Sequence, residues 1–143
     1  MWVSKMGNIE FERIWQDDDF FELKCKANSD SASVTMNTYV NDKLIDELTK
    51  KIQQFIGQTI QEFVWETGER GNKSTPDFVL KVFYKDRSGH IRVEVFCEID
   101  DGGSLEEHNC CFYIDGIETW QLKQFGERIQ NLKKQDIGTK VSI

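Results

Sequence analysis

The sequence predicts an α+β domain in which a largely antiparallel sheet of about seven strands carries two helices packed on one face. Two observations support this class. Short segments that alternate apolar and polar residues follow one another through brief polar connections, a pattern typical of hairpins. Two longer segments repeat apolar residues at helical spacing. Hairpins with short connections favour antiparallel pairing, with the helices segregated to one side of the sheet.

The predicted strands have one buried and one solvated face. In the second strand, Phe21 and Leu23 point to the side opposite Glu22, and such alternation indicates a sheet covered on one face. In the first strand, Phe11 and Trp15 are expected to share the buried side with Ile9. The predicted strands are residues 8–16, 20–27, 33–40, 60–67, 77–85, 90–99 and 107–114.

The first helix is predicted to follow Asn41, a residue type that caps helix N-termini through its side-chain oxygen. Apolar residues then recur at helical spacing, and Gly57 is suited to end the helix. The apolar positions are Leu44, Ile45, Leu48, Ile52, Phe55 and Ile56.

The second helix is predicted from about residue 117 to residue 134. Asp115 and Glu118 have the spacing of an N-terminal capping arrangement. Gly126 lies in the middle of this helix, where glycine costs about 1 kcal/mol relative to alanine, and we expect it to allow close packing on the sheet. The apolar stripe consists of Leu122, Phe125, Ile129 and Leu132.

The chain of 143 residues fits a single domain, 1–143, with a core over about 8–134 and a short C-terminal tail at 135–143. Apolar residues make up 38% of the chain and aromatic residues 12%. A chain of this length buries roughly two thirds of the surface that its unfolded form exposes. The sequence therefore predicts a core that forms without disulfide or metal cross-links.

The net charge of −7 and the pI near 4.9 favour a basic protein as partner. Acidic chains repel nucleic-acid phosphates and anionic lipid headgroups, so we expect neither nucleic acid nor membrane as a partner. The alternative is that the acidity serves solubility alone. No segment approaches 18 consecutive apolar residues, and no signal-peptide run is present. The cysteines have neither disulfide-framework nor CxxC spacing, which predicts a reduced, cytoplasmic protein; they are Cys25, Cys97, Cys110 and Cys111.

Residues 93–122 form a 30-residue stretch with eight carboxylates and no Lys or Arg. Asp115 and Glu118 are assigned to helix capping, which leaves six acids on one hairpin. Phe83 and Phe96 are expected on the face opposite the helices, where they could face each other across the hairpin at Gly89; the alternative is that the sheet curls and buries them. The predicted partner-binding residues are Glu94, Phe96, Glu98, Asp100, Asp101, Glu106 and Glu107.

No catalytic signature accompanies these acids, so the chain is expected to be a binding protein without enzymatic activity, cofactor or metal. A nucleophile–base set has only His90 and His108 to draw on. A metal or small-ligand site built from Cys97, His108 and Cys110 is the alternative, and buried thiols that pack as small apolar groups are the simpler interpretation. Adjacent Asp100 and Asp101 could act as acid and base or bind a cation, although acids at such turns are usually solvated.

Three short motifs resemble the WapI-type bacterial immunity proteins over about residues 8–132. They are Asn-Thr-Tyr-Val at 37–40 before a helix, Gly-His-Ile at 89–91 at a strand start, and Phe-Tyr-Ile-Asp at 112–115 before the last helix. The chain departs from the family pattern in two places: Gly-Ile-Glu follows Asp115 instead of Gln-Thr, and Arg-Val-Glu replaces small residues after the Gly-His-Ile motif.

The resemblance implies a small cytoplasmic protein of bacteria that neutralises a contact-delivered toxin by binding it, and it transfers no catalytic residue. Together with the acidic hairpin, it predicts a protein that uses carboxylates to pair with Lys and Arg of a basic toxin domain. The departures leave the identity of the toxin open. The sequence also leaves self-association open, and the alternative function is a small-ligand or metal-binding module.

Overall fold

The computed structural model describes residues 7–68, 76–99, 108–133 and 136–143, which form an α+β fold with antiparallel strands and two helices, as the sequence predicts. A 3-10 turn, Ile129–Lys133, continues the second helix. The helices are α1 (Asp42–Ile56) and α2 (Thr119–Arg128). The strands are β1 (Asn8–Gln16), β2 (Phe21–Asn28), β3 (Ser33–Val40), β4 (Glu62–Glu66), β5 (Asp77–Tyr84), β6 (Ile91–Ile99), β7 (His108–Ile117) and β8 (Lys140–Ser142).

The described strands form two four-stranded sheets instead of one sheet of about seven strands. The strand order is β3-β2-β1-β8 in the first sheet and β4-β5-β6-β7 in the second. Helix α1 connects β3 to β4, and these two strands do not pair, so the chain changes sheet at this helix. Each sheet consists of neighbours in sequence joined by hairpins, apart from β8.

The C-terminal residues are part of the first sheet and not the tail that the sequence predicts. Strand β8 pairs antiparallel with β1, with Phe11 opposite Val141. Val141 is buried, and the amide of Ile143 donates to the carbonyl of Ile9 at 2.9 Å. Three residues with one apolar side chain give too weak a pattern for a strand, so only the pairing with β1 reveals it.

A single hydrophobic cluster includes side chains of both sheets and both helices. The ring of Phe11 in β1 lies 5.8 Å from the ring of Trp65 in β4, 5.8 Å from Phe78 in β5 and 5.6 Å from Phe125 in α2. Burying one such side chain stabilises the fold by roughly 1.5–3 kcal/mol. Side chains of β1, β4, β5 and α2 thus meet at Phe11, which couples the two sheets.

Helix α1 begins and ends where its sequence predicts. The Asn41 side chain accepts a hydrogen bond from the amide of Leu44 at 2.9 Å, and Gly57 is the C-terminal cap. The indole of Trp65 donates to the carbonyl of Leu44 at 2.8 Å and fastens α1 to β4. Among the described residues, neither α1 nor α2 has the length and apolar character of a membrane-spanning helix.

Helix α2 differs from the prediction at its start and in the role of its glycine. Asp115 lies inside β7, because this strand continues to Ile117, and Glu118 caps the helix in a capping box with Gln121. Gly126 faces α1 and not the sheet: a β-carbon at this position would lie 2.9 Å from Cγ2 of Ile52. Glycine therefore sets the close approach of the two helices.

Candidate functional site

The predicted acidic hairpin lies only partly within the described residues. Glu94, Phe96 and Glu98 are in β6, whereas the four remaining predicted residues fall outside the part of the chain that the structure describes. Those four are Asp100, Asp101, Glu106 and Glu107.

Glu98 is buried, with 9% of its surface exposed, and this corrects the prediction that it stands on a solvated face. It pairs across the strands with Asp77, which is fully buried. The amide of Gly68, two positions after β4, donates to Oδ1 of Asp77 at 3.2 Å, so this buried carboxylate is hydrogen-bonded to the backbone. Alternation places a side chain on a face but does not show what covers that face.

The aromatic pair predicted on the same face does not form. Phe83 and Phe96 are both half-buried on the side away from the helices, but Phe83 pairs with Arg92 and Phe96 pairs with Val79. The register of the β5–β6 hairpin separates them by four residues along each strand. The hypothesis that they face each other is therefore wrong.

Charged and aromatic side chains on the outer face of the second sheet contact one another. Arg92 donates through Nε and Nη2 to the two carboxylate oxygens of Asp115, at 2.8 and 2.9 Å. Its guanidinium also lies 4.7 Å from the ring centre of Tyr113, and the ammonium of Lys81 lies 5.6 Å from that of Phe83. We call Lys81, Phe83, Arg92, Tyr113 and Asp115 the paired face.

The hydrogen bonds from Arg92 lower the pKa of Asp115 below its ordinary value of 3.8, and the nearby charge of Lys85 acts in the same direction. Lys85 lies 3.7 Å from this carboxylate. On the same sheet, the thiol of Cys111 donates to Oε1 of Glu94 at 3.3 Å. The cations, acids and rings of this face thus find their partners within the chain.

The alternative metal site is assembled only in part. Cys97 and Cys110 are directly opposite in β6 and β7, while His108 is exposed at the start of β7. Burial, followed by the neighbouring thiol, raises the pKa of Cys97, and burial likewise raises that of Cys25. In the described ranges no three His, Cys, Asp or Glu side chains are grouped for a metal ion.

The second histidine, His90, belongs to a turn. Its Nδ1 lies 2.8 Å from Oδ2 of Asp86, and both side chains are exposed. This hydrogen bond lowers the pKa of Asp86. The amides of Ser88 and His90 also donate to Asp86, so its carboxylate organises the β5–β6 turn. The contact between His90 and Asp86 is therefore accounted for by their roles in the turn.

A different surface gathers aromatic side chains that lack such partners. Trp15, Phe20 and Tyr39 are 46%, 49% and 51% exposed at one end of the first sheet, beside the β1–β2 turn. Within the described residues none of the three rings contacts another ring or a cation. We call this surface the turn patch; it consists of Trp15, Asp17, Asp18, Asp19, Phe20 and Tyr39.

A β-bulge places Trp15 in this patch. The register of β1 against β2 shifts between Arg13 and Trp15, so Arg13 is directed inwards with Phe11, and Trp15 is directed outwards. The prediction that Trp15 shares the buried side with Phe11 is therefore wrong. The signal in the sequence was Arg13 itself, a charged residue with the parity of the buried positions.

The strand pairing fixes how the aromatic residues are spaced. Trp15 is opposite Glu22, and Glu22 is opposite Tyr39 on the other side of β2. Directly opposite residues project from the same face, so Trp15 and Tyr39 stand two strand spacings apart, about 10 Å. Glu22, half-buried, lies between them. The row is an acid flanked by two exposed rings.

The β1–β2 turn holds Phe20 and directs its acids outwards. Oδ1 of Asp17 accepts from the amides of Asp19 and Phe20 at 2.9 and 2.7 Å, and the amide of Asp17 donates to the carbonyl of Phe20 at 2.9 Å. The carboxylate of Asp17 is thus part of the turn. In the described ranges, the carboxylates of Asp18 and Asp19 make no hydrogen bond or ion pair.

Arg13 fixes the end of β1, next to the β1–β2 turn. It is buried, its guanidinium stacks 4.4 Å from the ring centre of Phe21, and it donates to the carbonyl of Leu132 and to the side chain of Gln16. These contacts tie the end of β1 to the 3-10 turn after α2. The turn patch therefore has a rigid base.

Two hollows adjoin at Phe20 and Asn41. The apolar hollow has a volume of about 320 Å³ and lies between β3, the start of α1 and residues Thr67 and Pro76; Phe20, Tyr39 and Leu44 also line it. The polar hollow, of about 390 Å³, is lined by four acids and three cations. These are Asp17, Asp18, Asp19, Asp42, Arg13, Lys43 and Lys133.

Comparison with known proteins finds no protein family, no curated protein and no solved structure that matches this chain. The resemblance to WapI-type immunity proteins accordingly remains an expectation based on its three short motifs. The function must therefore be inferred from the exposed surfaces of the molecule.

Proposed function

We propose that the protein is a non-enzymatic binding protein whose partner is a basic protein, and that this partner is a toxin domain which the protein neutralises. The observation that carries the proposal is the turn patch, where three exposed aromatic rings stand beside a turn whose Asp18 and Asp19 carboxylates make no hydrogen bond or ion pair within the described residues. The resemblance to immunity proteins supplies the toxin as the kind of partner.

The composition of the turn patch is that of a binding hot spot. Exposed aromatic side chains contribute large area at low entropic cost, and Trp and Tyr are enriched among the residues that dominate binding energy. Carboxylates beside them raise the association rate with a cationic partner and select against acidic ones. The net charge of −7 extends this attraction beyond the contact itself.

The acidic hairpin at Glu94 remains part of the proposal as a second surface. Glu94 and Phe96 are half-buried in β6, and Glu98 is buried, so its carboxylate adds little to an exposed patch. The turn patch lies on the first sheet and this hairpin on the second. Variants of the two surfaces can therefore be compared separately.

The test uses the C-terminal domain of the protein encoded directly upstream, because toxin and immunity genes are expected to be adjacent. Surface plasmon resonance with the purified protein should show specific binding whose association rate falls as NaCl increases. Co-expression should protect cells from that domain.

Each of the two assignments in the proposal can be contradicted by experiment. The toxin assignment fails if the upstream gene encodes no toxic domain, or if co-expression gives no protection. The binding assignment fails if association is undetectable at micromolar concentration or is unaffected by salt. Charge reversal at Glu94, compared with reversal at Asp18 and Asp19, shows which surface is used.

A further inference from the structure

We infer that the turn patch binds an extended basic segment of the partner, with one large apolar side chain in the apolar hollow and an adjacent Lys or Arg against Asp18 and Asp19. This inference rests on the proposed function and specifies the chemistry of the partner at the same site. Three features of the structure support it: the two adjoining hollows, the charges at their rim and the rigidity of their walls.

The apolar hollow has the size and lining to take one side chain. Its volume of about 320 Å³ is at the lower end of the roughly 300–1,000 Å³ typical of ligand pockets. Phe20 and Tyr39 stand half-exposed at its edge, with Leu44 at its wall. An apolar side chain inserted there covers aromatic surface that is otherwise in water, which is the main source of affinity at hot spots.

The charges that line the polar hollow favour a cationic group of the partner. Lys133 is ion-paired with Asp46 at 2.7 Å, and buried Arg13 donates to Leu132 and Gln16. Among the described lining residues, the accessible carboxylates therefore exceed the accessible cations, of which Lys43 is the exposed one. A cationic group is the complementary one, and it meets Asp18 and Asp19 without disturbing an existing ion pair.

Because the two hollows adjoin, the apolar residue and the Lys or Arg should be close in the partner's sequence. Phe20 and Asn41 line both hollows and form their common wall. In an extended segment each residue advances about 3.3 Å, so the apolar residue and the Lys or Arg should be within about three positions of each other. The walls are fixed by the Asp17 turn and by the Asn41 cap, which lowers the cost of ordering on binding.

A library of displayed random twelve-residue peptides, selected on the intact protein, tests this specificity. The selected peptides should contain a large apolar residue within three positions of Lys or Arg. Synthetic versions are then measured by fluorescence anisotropy. Phe20→Ser with Tyr39→Ser should weaken them about tenfold or more, the effect expected of hot-spot residues; Tyr113→Ser, at a ring of similar exposure on the paired face, is the control and should change affinity less than about twofold.

Charge variants of the protein test whether a Lys or Arg of the partner pairs with Asp18 and Asp19. Asp18→Asn with Asp19→Asn should weaken binding several-fold at low salt, whereas Lys43→Ala should strengthen it. Asp30→Asn with Glu127→Gln removes the same charge at exposed positions elsewhere and should have much less effect. Peptides selected without a basic residue, absence of any selected peptide, or weaker binding in Lys43→Ala overturns the inference.

The outcome for the whole partner separates this inference from the proposed function. If the upstream toxin domain binds the Phe20→Ser, Tyr39→Ser variant as tightly as the wild type, the proposed function stands and the inference fails. If that domain does not bind the wild-type protein either, while the selected peptides do, the surface recognises basic segments and the toxin assignment fails.

Discussion

The turn patch and the paired face use the same kinds of side chain in opposite ways. On the paired face, Arg92 covers Tyr113 and holds Asp115, so ring, cation and acid are already bound to one another. In the turn patch, Phe20 and Tyr39 are equally exposed, but within the described residues no cation lies over them. The difference shows that the availability of a group, more than its type, marks a binding surface.

The largest expected effect is a difference in reactivity between two cysteines on opposite faces of the second sheet. Cys111 is on its exposed face and Cys97 on its buried face. A disulfide exchange reagent should modify Cys111 at least about a thousandfold faster than Cys97, because only opening of the core, which costs several kcal/mol, exposes the buried thiol. Burial also raises the pKa of Cys97 and disfavours its reactive thiolate.

Mass spectrometry of the labelled protein at successive times identifies which thiol reacts. Cys111→Ser should remove the fast phase, and urea should make all of the cysteines reactive. Similar rates for Cys97 and Cys111 in the folded protein would mean that β6 and β7 are not packed as described.

Replacement of Arg13 and of Arg92, which both stack on aromatic rings, should affect stability unequally. Arg13 is buried over Phe21 and donates to Leu132, so Arg13→Ala should lower the free energy of unfolding by about 2–4 kcal/mol through lost packing and an unsatisfied carbonyl. Arg92→Ala, on the surface, should cost only about 0–1 kcal/mol. Urea denaturation measures both, and equal costs would contradict the difference in burial.

The ion pair of the paired face should contribute a stability that depends on pH. The pKa of Asp115 is lower in the folded state than its ordinary value of 3.8, so its contribution is present above that value and is lost as pH falls through the folded pKa. Partial exposure limits this contribution to a fraction of about 1 kcal/mol.

Asp115→Asn should therefore be less stable than the wild type at neutral pH, and the difference should shrink as the pH falls through the lowered folded-state pKa of Asp115, because the wild-type carboxyl then also loses its charge. Urea denaturation at several pH values measures it. A difference that persists unchanged in acid would assign the effect to packing and not to charge.

The smallest effect should come from the turn patch. Phe20→Ser and Tyr39→Ser should each change the free energy of unfolding by no more than about 0.5 kcal/mol, because the fold makes little use of these rings. Tyr113→Ser should cost about 0.5–1 kcal/mol through the lost contact with Arg92. A cost well above 1 kcal/mol at Tyr39 would show that its ring is structural and would remove it from the candidate site.

The sequence by itself determined the elements whose signals are local. Alternation located seven strands, and the Asn41 cap with its apolar stripe located α1, because strand faces and helix caps depend on residues a few positions apart. The same local signals placed Phe96 on the outer face of its sheet but could not show that Glu98 on that face is covered.

Only the tertiary structure decided how the elements combine. The division into two sheets and the pairing of β8 depend on contacts between distant residues. The bulge that turns Trp15 outwards shifts the register by one residue, and this inverts the face of every later side chain in the strand. The apolar hollow beside Phe20 arises where β3, α1 and residues Thr67 and Pro76 meet, so no local pattern could reveal it.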